Sequence, residues 1–382
     1  MTILDRRLAL LGGLAGLSAC ATNPQRLAAP DASRLMPVRA HMRRVFDITV
    51  CSRPFRAAGP RLDTEMLGDT LVVHNYGHGG SGWSLSWGSA QLVLEKALQR
   101  GDKNLAVIGC GALGLTTAVL ALKMGCSVAL YAKELLPLTR SARATGSWTP
   151  DSRIALRDSA APGLGELWER MARFTWKSYR GYLGLPGKPV EFGDRYYITD
   201  GSGQNYYTTP NALAFAQYSN RIADIIPSGV DMPPGSTPFQ LPNVRRTENM
   251  QFNVASYGHT LMAEFYAMGG KLEVREFHEP SEFTRLKQKV VINCTGYGAR
   301  ALWKDESLIP VRGQIAWLAP QPEVNYGVNY RGVQMIPRSD GIVVQMLEGG
   351  DMRGYNQDNE TVDRAEAAEG ISRIAELYTR FK

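Results

Sequence analysis

The stretch Leu105-Ala106-Val107-Ile108-Gly109-Cys110-Gly111-Ala112-Leu113-Gly114 decides the fold. A short apolar run of strand type enters Gly-x-Gly-x-x-Gly, and Leu115 to Met124 continues as a helix. The glycines have separate tasks. Gly109 permits the sharp turn, Gly111 lets a pyrophosphate approach the backbone, and Gly114 lets helix pack closely on strand. The free N–H groups at the helix start then face negative charge. A second strand, Ser127 to Tyr131, follows at the right distance. An acidic residue for ribose hydroxyls is usual about 20 positions on, at the end of that strand. Here the strand runs into Lys133-Glu134, so the acid is displaced by one position.

Two further turns share this character. Val290-Val291-Ile292-Asn293-Cys294-Thr295-Gly296 is an apolar strand running into a polar, glycine-ended turn. Such a strand is buried on both faces, as in a parallel sheet. Leu71-Val72-Val73-His74-Asn75-Tyr76-Gly77-His78-Gly79-Gly80-Ser81-Gly82 leads into a helix over Trp83 to Leu98, again leaving amides free at a helix start. His74 and His78 stand four apart, but Gly77 and Gly79 argue against the helix that a metal pair at this spacing needs. Structural histidines, and no metal, are the expectation.

The chain has 382 residues, enough for roughly two domains. With 44% hydrophobic and 21% charged residues it resembles soluble globular chains, which excludes general disorder and a polytopic membrane protein. The net charge of +7 is modest and forms no long basic run, so nucleic acid is not an expected partner. Residues 1–19 read as a signal: Asp5-Arg6-Arg7 precedes an apolar run, Leu8 to Ala19, that is shorter than the roughly 20 residues needed to span a bilayer. It ends in Leu17-Ser18-Ala19-Cys20 and resembles a bacterial lipoprotein signal, while the arginine pair resembles a twin-arginine signal. That implies export to the bacterial cell envelope, on the periplasmic side, with a lipid anchor at Cys20. Residues 20–40, with Pro24, Pro30 and Pro37, read as a tether. Cys51, Cys110, Cys126 and Cys294 lack metal-like spacing and are expected to be buried thiols.

Together the three turns resemble the D-amino-acid oxidase family of FAD flavoproteins, over Val107 to Pro150, Gln251 to Leu302, Val311 to Pro337 and Val45 to Ala90. The stretch His74 to Gly88 is close to a family signature. In the family that signature lies near the C-terminus and the Gly-x-Gly-x-x-Gly near the N-terminus. Here the order is reversed across the short link Arg100-Gly101-Asp102-Lys103, so the sequence looks like a circular permutant. Its new ends would fall after a helix over Asn359 to Phe381 and before the strand near Val45.

The resemblance implies an α/β fold. A Rossmann-like FAD-binding domain would be built from residues 57–150 and 251–300. An α+β substrate domain with a mostly antiparallel sheet would come from 41–56, 151–250 and 301–382. It implies oxidation of a D-amino acid or a related small amino acid by hydride transfer to flavin N5, giving a keto acid and ammonia, with oxygen as acceptor. A dehydrogenase using a quinone or carrier, and an inactive flavin-binding lipoprotein, are the alternatives. Such a site needs a fixed cation and a shaped apolar pocket.

Residue by residue, Arg53 in Cys51-Ser52-Arg53-Pro54 matches the family's carboxylate-binding arginine, a role suited to a planar fork of donors. Tyr330 falls where the family has a tyrosine near the pocket mouth. Gln334 stands in place of a second pocket tyrosine, and Gln345-Met346 in place of a Gly-Gly pair. The Gly80 carbonyl would face the substrate amine. Toward the flavin, the resemblance carries over Gly109, Gly111, Ala112, Leu113 and Gly114 at the pyrophosphate, and Thr139, Arg140 and Ser141 after the second strand. It puts Thr145, Gly146 and Ser147 beside the ring and Gly79, Gly80, Gly82, Trp83 and Ser84 at its pyrimidine edge. Phe277 would offer its backbone to adenine.

Residues 151–250 match the family poorly. Within them Gly165 to Leu183 reads as a helix with an apolar stripe (Leu167, Met171, Phe174), and Gly229 to Glu248 as a long loop, either covering the site or a surface insertion.

Overall fold

The computed structural model describes residues 35–381, so the signal-like segment 1–19, Cys20 and the tether as far as residue 34 lie outside the described residues. In chain order come β1 (Val45–Arg56), β2 (Thr64–Leu67), β3 (Thr70–His74), α1 (Gly82–Ala97), β4 (Asn104–Ile108), α2 (Ala112–Lys123) and β5 (Ser127–Ala132). Then follow α3 (Leu164–Tyr179), β6 (Val190–Thr199), β7 (Val230–Asp231), β8 (Asn243–Phe252), α4 (Val254–Ala267), β9 (Lys271–Val274), β10 (Val290–Asn293) and the short α5 (Ala299–Leu302). The last elements are β11 (Leu308–Leu318), β12 (Tyr326–Tyr330), β13 (Val333–Arg338), β14 (Gly341–Met346) and α6 (Arg364–Thr379).

The first sheet has the order β2-β3-β10-β4-β5-β9 and is parallel from β3 to β9. Every residue of β3 and β10 is buried, which is why their centres read as the apolar runs Leu71-Val72-Val73 and Val290-Val291-Ile292. The register sets Asn293 beside His74 on one side and Ile108 on the other. The three glycine turns therefore leave the sheet from one edge, at the carboxyl ends of adjacent strands, where open α/β sheets bind ligands.

Helices α1, α2 and α3 share the core of this sheet. Helix α3 lies there although its sequence falls in the stretch expected to build the substrate domain. It buries Trp168, Met171, Thr175 and Tyr179, whereas Leu167 and Phe174 of the predicted stripe are only partly buried. The α1–α3 crossing is close at Gly88, whose N–H donates to Thr175 Oγ1 (2.8 Å). A Cβ at position 88 would overlap the Met171 backbone.

The second sheet has the order β1-β11-β14-β13-β12-β6-β8-β7 and is antiparallel except between β12 and β6. Helix α6 covers one face, burying Ile371, Ile374 and Leu377 against Val328, Tyr330, Met335 and Val344. The helix is shorter than the predicted 359–381, because Asp363 caps its start by accepting from the N–H groups of Ala365 and Glu366.

Two expectations are corrected here. The stretch 229–248 is not one loop, since β7 and much of β8 lie in it and β8 pairs with β6 along its length. Residues 36–40 are not free tether. Val38 is buried, Gln321 Nε2 donates to the Pro37 carbonyl (2.9 Å), and Tyr326 Oη donates to the Met36 carbonyl (2.7 Å). Among the described residues no helix is long and apolar enough to cross a membrane.

Candidate active site

Strand β1 belongs to the second sheet but is fastened to the first. Phe55 bridges His78, and the Gly79 N–H donates to the Pro54 carbonyl (2.8 Å). Gly79 adopts φ +55°, and a Cβ there would overlap the Arg153 carbonyl, so the turn after β3 admits only glycine at this point. Arg53 is thereby held beside that turn, with its guanidinium over Gly313, where a Cβ would collide with it.

Two cavities meet at this place. The first, of about 400 Å³, is lined by all three glycine turns. The second, of about 840 Å³, lies between β1, β11, β13, β14 and the loops around 145–153, 207–217 and 347–357. Arg53 and Gly80 line both.

The first cavity is built for a dinucleotide. Gly109 (φ +106°) donates its N–H to the Tyr131 carbonyl (2.7 Å), which aims the chain into the start of α2. Ser141 ties the turns together, since its Oγ accepts from the Ala112 N–H (2.9 Å) and its carbonyl from Trp83 Nε1 (2.9 Å). The displaced acid still reaches the site: Lys133 and Glu134 both line it, as does Glu276, which accepts from Lys133 Nζ (3.2 Å). Three lining side chains carry a buried polar atom without a partner among the described residues, namely Ser52 Oγ, His78 Nδ1 and Thr139 Oγ1. Buried polar atoms are rarely left so unless something outside the chain completes them.

His78 shows what kind of partner is missing. Ser89 Oγ donates to Asn75 Oδ1 (2.6 Å), so at its contact with His78 Nε2 (2.9 Å) the serine must accept. The proton then sits on Nε2, and Nδ1 presents a lone pair. Burial holds this imidazole down to about 3, hence neutral.

A model of the FAD dependent oxidoreductase family, DAO, matches residues 104–382. The chain belongs to that family. The D-amino-acid oxidase of Dictyostelium discoideum is 26% identical over 292 residues, covering 73% of this chain and 74% of the relative. The D-amino acid oxidase of Dugesia ryukyuensis is 35% identical over 97 residues, covering 24% of this chain and 29% of the relative. Among solved structures, glycine oxidase from Bacillus cereus ATCC 14579 aligns with a TM-score of 0.48 at 14% identity, covering 73% of this chain and 78% of the other. FAD is the cofactor of this oxidoreductase. The first cavity fits it, with amides at the start of α2 for phosphates and three orphaned polar atoms for hydroxyl and ring edges.

In this FAD dependent oxidoreductase Gly109, Gly111, Ala112, Leu113, Thr139, Arg140, Ser141, Gly79, Gly82, Trp83 and Phe277 line the first cavity. Gly114 does not; it packs against the Gly109 carbonyl and Cys294. Ser84 also lies outside the lining, and its Oγ accepts from the Thr149 N–H (2.8 Å). Thr145 and Ser147 line the second cavity, and Gly146 between them fits closely against the Phe252 carbonyl. Gln334 lines the second cavity, together with Gln345 and Met346.

Tyr330 is corrected. It is fully buried in the core under α6, its hydroxyl has no partner among the described residues, and it lines neither cavity. Side chains alternate along β12, so Asn329 faces the cavity side and Tyr330 the helix side. The tyrosine that does line the second cavity is Tyr207, from a loop whose sequence carries no motif. Arg153 likewise stands in no motif. It is buried behind the Gly79–Gly80 turn and donates to the carbonyls of Asp351 (2.8 Å) and Gly350 (3.0 Å). Burial, reinforced by Arg53, lowers its pKa to about 10, so it remains charged. Thr295, Tyr297 and Gly298 complete the first cavity from the turn after β10, which sequence reading found without assigning its residues.

The expected apolar pocket is also corrected, because the second cavity is strongly polar. Most of its charges are already paired. Glu366 meets Arg312 (3.2 Å) and Arg353 (3.1 Å), and Asp351 meets Arg153 (3.5 Å). Arg53 has no carboxylate within 4.0 Å among the described residues. His74 is structural: it faces Glu65 (3.2 Å) and Asn293 (3.1 Å), and burial lowers it to about 4. Cys51, Cys110, Cys126 and Cys294 are buried and unbridged.

Proposed function

We propose that this enzyme oxidises the Cα–N bond of D-amino acids and releases a keto acid and ammonia after hydrolysis of the imino acid, with oxygen as electron acceptor. One observation carries the reading: a guanidinium without a carboxylate partner among the described residues, Arg53, stands where the cofactor cavity opens into a second cavity. Its fork of donors would bind the substrate carboxylate by two parallel hydrogen bonds. Gly80, at the same junction, would accept from the substrate amine through its carbonyl. Fixing both ends of the amino acid turns the Cα–H toward the first cavity, and positioning of this kind supplies much of the rate. FAD, when bound, supplies the two-electron acceptor. The names of the Dictyostelium and Dugesia relatives support the D-configuration.

Anaerobic mixing with D- and L-amino acids tests this. Bleaching of the flavin by D-forms, lost by about 100-fold in kcat/KM for Arg53→Gln with FAD content intact, is the expected result. Bleaching by L-forms alone, or an undiminished Arg53→Gln variant, would overturn it. Peroxide formed in proportion to substrate would support oxygen as acceptor, and its absence a carrier.

We also propose that the chain is a circular permutant of its family. The family match starts at residue 104, directly after the Arg100–Lys103 link, while β3 and α1, which pack in the same sheet and core, precede it. Export and lipidation at Cys20 belong to the same reading and rest on the sequence. Cys20→Ala is expected to move the enzyme from the membrane fraction to the soluble fraction.

A further inference from the structure

The cavity-facing side of the second sheet carries an unusual row. The register pairs Asn329 with Gln334 and Gln334 with Gln345, so three carboxamides lie side by side across β12, β13 and β14. Directly opposed residues of antiparallel strands share a face. All three are buried, and Gln334 and Gln345 line the second cavity together with Arg53. Their hydrogen-bonding capacity is largely unused. Gln334 Nε2 reaches Asn329 Oδ1 only at 3.5 Å, the outer limit of a hydrogen bond, and the Gln345 amide is uncommitted among the described residues. Gln314, by contrast, is largely engaged, its Oε1 accepting from Arg312 and the Asp363 N–H and its Nε2 donating to the Asp363 carbonyl.

Three features then bound what the cavity takes. Its volume of about 840 Å³ lies in the upper range of small-molecule sites, well beyond the needs of the smallest amino acids. Its floor is neutral and rich in both donors and acceptors. Its guanidiniums other than Arg53 are paired with carboxylates, so a negative charge on the ligand's far end would meet no free cation, while Asp151 also lines the cavity and has no ion pair among the described residues.

We infer that the Gln334–Gln345 row makes this enzyme selective for amino acids with a long, hydrogen-bonding side chain that carries no negative charge, of which a carboxamide is the simplest. The inference rests on the amino-acid oxidation proposed above. An apolar chain against the row would strand buried amides. Sites built to hydrogen-bond a substrate reject analogues that lack the matching group far more strongly than apolar pockets reject a polar one.

The test compares D-glutamine with two near-isosteres, D-methionine and D-glutamate, by anaerobic flavin reduction of the FAD-loaded enzyme. D-Glutamine is expected to exceed each by at least tenfold in kcat/KM, the difference lying mainly in KM. Gln334→Leu and Gln345→Leu are each expected to cut the glutamine-to-methionine ratio below threefold while the flavin spectrum stays that of the parent. Gln334→Glu serves as a second variant where the leucine variant loses its flavin, and is expected to lower the glutamine preference as well. Equal or better turnover of D-methionine or D-glutamate by the parent enzyme overturns this inference and leaves the oxidation reading standing. So does a ratio unchanged in the variants. Flavin left oxidised by every amino acid overturns both.

Discussion

Two residues show how one position, or one proton, decides a role. Tyr330 has the identity that a pocket residue would have, yet the pleat of β12 turns it into the apolar core with its hydroxyl unpartnered. A buried hydroxyl without a partner costs stability, so its removal should be neutral or favourable. Tyr330→Phe is therefore expected to keep kcat/KM within twofold of the parent and to raise unfolding stability by up to about 1 kcal/mol. Steady-state kinetics and urea unfolding check it, and a large loss of turnover would return Tyr330 to the site. His78 titrates in a predictable direction. Its folded pKa of about 3 lies below the value near 6.5 of the unfolded chain, so the unfolded state binds the extra proton. Its contribution is fully present above pH 6.5 and is lost as pH falls toward 3. Between pH 6.5 and 5 the loss should be about 2 kcal/mol. Urea unfolding across that range, compared with His78→Asn, is expected to show the slope in the parent and a flatter one in the variant. His74, lowered to about 4, adds in the same sense.

At the scale of elements, the legible parts were those whose signal is local. The apolar runs of β3, β4 and β10 and the glycines that end them lie within a few residues of one another, so strand, turn and helix start could be read directly. The first cavity follows almost entirely from them. The second cavity did not follow, because its walls come from loops without motifs, and because strand register fixes which alternate residues face inward. A shift of one position separates Asn329 from Tyr330, and no local pattern supplies it. The apolar spacing in α3 marks it as a helix, but its docking on α1 depends on one small residue. Gly88→Ala would drive a methyl into the Met171 backbone, which cannot swing aside as a side chain can. The expected cost is about 1–3 kcal/mol, typical of overpacking in a filled core. Thermal unfolding of FAD-loaded protein should show it, and a Tm unchanged from the parent would mean that the two helices part without penalty.

The whole molecule offers a test of the proposed permutation. Near its beginning, the described chain gives the Met36 carbonyl to Tyr326 Oη (2.7 Å), and near its end the Tyr378 hydroxyl meets that same oxygen (3.0 Å). Both ends therefore lie against one side chain of the second sheet, on the core that α6 also covers. At the other candidate opening, the link Arg100–Lys103 is an exposed turn between α1 and β4, with Gly101 at φ +80° and its N–H donating to the Leu98 carbonyl (3.0 Å). Closing adjacent ends with a short flexible linker costs little entropy, and an exposed link tolerates cutting. A rearranged chain that begins at Lys103, runs to Phe381, passes through a glycine–serine linker of roughly eight residues into Leu35 and ends at Arg100 keeps the described strand pairings and both cavities intact. It is expected to bind FAD with the parent spectrum and to retain kcat/KM within about threefold, because Arg53 still reaches the junction on β1 and the three turns still leave one sheet edge. A rearranged chain that folds but binds no FAD would show that the covalent link from α1 into β4 is itself needed to bring the glycine turns into register.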